Sequence, residues 1–129
     1  MWGLGFSVVL LTVAWMSLRS DTLSDTRASF MTMLQALSAA RESASKCWSD
    51  RHIAVVDCEA VKRLMPTPPS SEVAYMVTDQ GVLVGIDYSN RVTVLLTPRV
   101  DGSELNWRCA GTPSEAITKL CNDLTTMKR

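Results

Sequence analysis

From Arg19 to Trp48 the chain reads RSDTLSDTRASFMTMLQALSAARESASKCW, with neither Gly nor Pro. Nothing in it breaks a helix. Its apolar positions Leu23, Phe30, Met33, Leu34, Leu37, Ala40 and Ala44 recur mostly at steps of three and four. The pattern is an amphipathic helix whose narrow stripe needs another surface to cover it. Met31, Met33 and Leu34 read as packing surface rather than as ligands. Ahead of this stretch, Met1–Leu18 (MWGLGFSVVLLTVAWMSL) carries no ionisable side chain. As a helix it spans about 27 Å, close to the ~30 Å hydrocarbon core of a bilayer. No Lys or Arg precedes the apolar run and no small-x-small site follows it, so a retained span is expected over a removed signal peptide. Trp2 and Trp15 fall near its ends, where indoles favour the membrane interface. Nothing between Leu18 and Arg19 forces a break. The simplest reading is one helix of about 45 residues, membrane-embedded over 1–18 and half exposed over 19–48.

Residues 49–71 read as an irregular segment, with a short helix expected over Asp57–Leu64. The run Pro66-Thr67-Pro68-Pro69-Ser70-Ser71 then stops regular structure. From Glu72 the apolar period changes to two. Val73–Val77, Val82–Ile86, Val92–Leu96 and Leu105–Cys109 are short β-prone runs separated by Asp79-Gln80-Gly81, Ser89-Asn90 and Asp101-Gly102. Thr97-Pro98 is expected to end the third. The spacing predicts an antiparallel four-stranded meander over 72–109. Its covered face should carry Val73, Tyr75, Val77, Val82, Val84, Ile86, Val92, Val94 and Leu96. A helix laid across such a sheet is an α+β roll, with 1–18 as a membrane half-helix and 19–129 as the head. In the C-terminal segment 110–129, Thr112-Pro113-Ser114-Glu115 resembles a capping box opening a helix over Ala116–Leu124.

Four cysteines, none in a C-x-x-C pair, indicate disulfides and an oxidising compartment. They allow three connectivities. Pairing Cys47 with Cys58 and Cys109 with Cys121 closes short loops at low entropic cost; crossed pairings, such as Cys47 with Cys109, remain open. A zinc site using Cys47, His52, Cys58 and one distant cysteine would match no common structural spacing, and no cofactor motif is present. With 13 basic and 13 acidic residues the formal charge is zero, so no nucleic-acid footprint stands out. Arg91, Arg99, Arg108 and Lys119 would make a basic patch only if they converge.

The order LTP…DG…W-x-C-x-G…C over Val92–Cys121, with QGVLVGID before it, resembles the C-terminal end of type IVa pilins. The resemblance covers the chain from its first residue to Cys121. It implies an apolar half-helix that anchors in the bacterial inner membrane and then packs in a filament core. It also implies a second half-helix packed on a four-stranded sheet, and a displayed loop bounded by Cys109 and Cys121. Gly5-Phe6 resembles the prepilin peptidase site, cut after the glycine. Leu10 stands where most pilins place a Glu, which resembles tip or accessory subunits. The residues expected to carry assembly and packing are Leu10, Leu11, Leu18, Phe30, Leu34, Leu37 and Trp107. The implied partners are other pilin subunits, the inner membrane and the pilus assembly machinery, with the head in the periplasm or on a pilus.

The expected function is a structural or accessory filament subunit acting in assembly and surface adhesion. Its alternative is a membrane-anchored extracytoplasmic binding module outside any fibre, with DNA capture as a lesser variant of either. No enzyme is expected. His52 has no paired nucleophile, Asp50, Asp57 and Glu59 read as solvated, Ser70-Ser71 has no visible base, and no Gly-rich phosphate loop exists.

Overall fold

The structure is a computed structural model that describes the backbone of residues 2–127 and the side chains of residues 24–122. Its elements are α1 (Trp2–Arg51), α2 (Glu59–Leu64), β1 (Val73–Val77), β2 (Leu83–Asp87), β3 (Val92–Asp101), β4 (Glu104–Thr112) and α3 (Ser114–Met127). The strands form one antiparallel sheet in the order β1-β2-β3-β4, and α1 lies across one face of it. The architecture is α+β. Among the described residues no helix is long and apolar enough to cross a membrane. The span expected over Met1–Leu18, with Gly5, Phe6, Leu10, Leu11 and Leu18, lies outside the residues whose side chains are described.

The α1 stripe is Thr26, Ser29, Phe30, Met33, Leu37, Ala40 and Ala44, all buried. Steps of three and four keep these on one side, and the alanines let the helix sit close to what it covers. Leu34 is half-buried beside the stripe, whereas Met31 lies 41 % exposed, so only Met33 of the methionine pair is core. The helix ends at Arg51, three residues beyond the expected 48. His52 adopts φ 55°, its N–H bonds the Trp48 carbonyl at 2.9 Å, and the Ile53 N–H bonds the Cys47 carbonyl at 3.0 Å. This paired reversal satisfies carbonyls that the helix end would otherwise leave open. A 3₁₀ turn (Val55–Asp57) and α2 follow, with Val55 and Val61 buried against the same core.

Two expectations about the sheet are corrected. The face of β2 turned to α1 is Leu83, Gly85 and Asp87, not Val82, Val84 and Ile86, although Val84 is itself buried. Pairing of Leu83 with Val77 and Leu96, and of Gly85 with Tyr75 and Val94, fixes that phase. The sequence misleads because β2 alternates two sets, and the set facing the helix contains a Gly and an Asp. Gly85 is closely packed there. A Cβ would stand 3.2 Å from the Met33 sulfur and 3.4 Å from its Cβ, so the bare backbone lets α1 approach.

The second correction concerns Thr97-Pro98, which does not stop β3. The strand continues to Asp101 and pairs with β4 through Pro98↔Trp107 and Asp101↔Glu104. Proline is tolerated because β2 pairs only as far as Leu96, so no ladder partner lies on that side. Beyond Leu96 the sheet is a two-stranded ribbon. Likewise Thr112 closes β4 instead of capping α3, and it is the Pro113 carbonyl that accepts the Ile117 N–H at 3.0 Å.

Candidate functional site

Two disulfides close the short loops, joining Cys47 to Cys58 and Cys109 to Cys121. The first ties the last turn of α1 to the start of α2. The second ties β4 to α3, with Cα atoms 5.7 Å apart, and α3 inserts Ile117, fully buried, beside Gly111. A Cβ on Gly111 would run into the Thr93 carbonyl and crowd the Ile117 side chain, so only glycine leaves room for both the strand pair and α3.

This bridged unit forms one wall of a groove of about 1000 Å³ between α1 and the β3–β4 ribbon. Its floor is apolar, with Leu34, Leu96, Leu105, Trp107 and the Cys109–Cys121 bridge; Arg41, Glu42 and Lys46 of α1 rim it. Trp107 is half-buried rather than wholly core, because the ribbon runs past the sheet. Its indole N–H donates to the Ser45 hydroxyl at 3.0 Å and so fixes the ribbon to α1. A second cleft shares Asn106, Trp107 and the Cys109–Cys121 bridge with this groove and adds Arg99, Asp101, Arg108 and Asn122.

The sheet end holds a buried polar node. Asp87 is 7 % exposed and accepts five hydrogen bonds. Its Oδ2 takes the Ser29 hydroxyl at 2.7 Å and the Asn90 side-chain amide at 2.8 Å. Its Oδ1 takes the Ser89 hydroxyl at 2.7 Å and the backbone N–H groups of Ser89 and Asn90 at 3.1 and 3.3 Å. Burial pushes the carboxyl up, but the bonds from Ser29, Asn90 and Ser89 outweigh it and lower the pKa from 3.8 to about 2. The Tyr75 hydroxyl is pushed up by burial and then by the Asp87 charge. The node joins α1 to the β2–β3 turn and orients both, while its hydrogen bonds leave the carboxylate little basicity for proton transfer. An acid at the end of an apolar strand, with Ser and Asn two and three residues on, is an Asx-turn signal that could have disclosed it.

Of the expected packing residues, Phe30 and Leu37 are fully buried, and Leu34 and Trp107 sit half-buried against the core. The basic residues do not converge. Arg99 and Arg108 share the outer cleft, Arg91 precedes β3 at the opposite end, and Lys119 lines a shallow site on α3. His52 is exposed with its ring 5.1 Å from that of Trp48, and Asp50, Asp57, Glu59, Ser70 and Ser71 are not buried. Among the described residues no group of His, Cys, Asp and Glu is arranged to hold a metal ion. Comparisons with family models, with curated proteins and with solved structures found no match to this chain.

Proposed function

We propose that the protein is a structural or accessory subunit of a type IV pilus-like surface filament, acting in filament assembly and adhesion. The observation that carries this reading is the combination within one chain of a 50-residue helix laid over a four-stranded antiparallel meander and a C-terminal segment stapled by Cys109–Cys121. The uncharged sequence Met1–Leu18 supports it, as does the QGVLVGID and LTP…W-x-C pattern. In this reading Phe6–Leu18, with Leu10 and Leu11, packs against neighbouring subunits in the fibre or lies in the inner membrane before assembly. The head faces the periplasm or the cell exterior, where disulfides persist.

Leu10, standing where most pilins place a Glu, favours a second reading in which the chain stays anchored as an extracytoplasmic binding module. Shearing cells and blotting both fractions separates the two. Recovery of the chain with the sheared fibres is expected for a filament subunit. Confinement to the membrane fraction, with fibres present, would leave only the anchored module.

A further inference from the structure

β1 is the edge strand on the side of the sheet away from α3, and only β2 makes extensive contact with it. The Tyr88 N–H bonds the Glu72 carbonyl at 2.8 Å, and the Thr78 N–H bonds the Val82 carbonyl at 3.0 Å. Hydrogen-bonded pairs alternate along an antiparallel ladder, so Val73, Tyr75 and Val77 turn their N–H and C=O groups away from β2. The Ser70 carbonyl takes the Val73 N–H at 3.4 Å; among the described residues nothing bonds the outward groups of Tyr75 and Val77. Buried backbone groups are almost always paired, so these face water. The chain leading into β1 leaves them uncovered, since residues 67–72 are all exposed. The Tyr75 ring lies back over β2, its Cε1 3.4 Å from where a Gly85 Cβ would stand.

We propose that a second copy of the chain docks on this edge, the two β1 strands pairing antiparallel about a two-fold axis at Tyr75 to make one continuous sheet. Edge strands that stay single carry charges, prolines or bulges, and Val73–Val77 has none of these. Its sequence, Val-Ala-Tyr-Met-Val, also fits its own reverse. About Tyr75, Val73 lies opposite Val77, Ala74 opposite Met76, and Tyr75 opposite its counterpart. This register sets the outward groups face to face, so Tyr75 exchanges both backbone bonds with its counterpart and Val77 donates to the Val73 carbonyl. On the sheet face away from α1, Met76 is 44 % exposed and begins the row Met76–Val84–Leu95–Ala110. Beside the small Ala74 of the other copy it is covered, and the row runs on across the axis. An unrelated extended segment finds no charge on β1 to select it, whereas the copy is matched at every position. The nearest charges, Glu72 and Asp79, are exposed and fall at the ends of the paired segment. Both are acidic, so salt strengthens the pairing. Five residues a side make a small interface, hence a weak dimer that gains from any surface or assembly concentrating the chains. The proposal holds whether or not the protein enters a fibre.

The test is amide hydrogen exchange on the full-length chain in micelles of an uncharged detergent, at about 10 μM and about 1 mM protein. Exchange at Tyr75 and Val77 is expected to slow at least about threefold at the higher concentration, and further on adding salt. Met76→Lys, an exposed change that adds the charge single edge strands use, should abolish this concentration dependence and leave thermal melting unchanged. Val100→Lys, at a position 54 % exposed on the β3–β4 ribbon, should keep it. Exchange at Tyr75 and Val77 that is equal at the two concentrations overturns the proposal: if fast, the edge stays single, and if slow, the chain's own linker covers it. Concentration-dependent protection confined to other elements, or retained in Met76→Lys, overturns it too.

Discussion

Asp87 stabilises the head only while it is ionised. Its pKa is about 2 in the folded chain against an ordinary 3.8. A depressed carboxyl contributes stability that is fully present above the unfolded value and lost as pH falls through the folded one. The difference corresponds to about 2 kcal/mol. Asp87→Asn should therefore cost about that much near neutral pH, and the gap to wild type should close between about pH 4 and pH 2. Denaturant melts of both proteins across that range check it; parallel acid limbs would mean that the carboxylate is not the coupled group. Trp107→Ala should lower stability by about 2 kcal/mol, less than for a wholly buried ring, since the indole is half-buried and loses one hydrogen bond to Ser45. Thermal melting reads this directly, and an unchanged midpoint would place the ring outside the packed head.

At the level of elements, the α1 stripe and four β-prone runs were legible because their periods, 3.6 and 2, are set by burial. Phe30, Met33, Leu37, Ala40 and Ala44 could be read straight off the spacing. The phase of β2 could not, because both of its faces hold apolar residues and the covered one includes Gly85 and Asp87. The reach of β3 past Pro98 was also hidden. Proline excludes a ladder only on the side where its N–H would be needed, and which side is open depends on where β2 stops. The groove beside β4 follows from that same extension, so it had no signal of its own in the sequence. Gly111 gives the sharpest test at this scale. Gly111→Ala should disrupt the β3–β4 pairing at Thr93 and destabilise the head by about 3 kcal/mol or more, whereas a melt within experimental error of wild type would refute the close approach of the strands. Cys121→Ser should free a thiol on Cys109 alone and remove about 2–3 kcal/mol. Thiol labelling that found Cys47 reactive instead would contradict the observed pairing.

For the whole molecule, two staples and one polar node hold three parts onto a single sheet. Cys47–Cys58 fixes α2 to the end of α1, Cys109–Cys121 fixes α3 to β4, and Asp87 fixes α1 to the β2–β3 turn. One sheet face is covered by α1, and α3 packs against β4. The filament reading rests on joining that head to Met1–Leu18. Its most direct test is the intact mass of the native chain, measured separately in sheared surface material and in membranes. A processed filament subunit requires a chain beginning at Phe6 in the sheared material. A chain still beginning at Met1, found only in membranes, would contradict it.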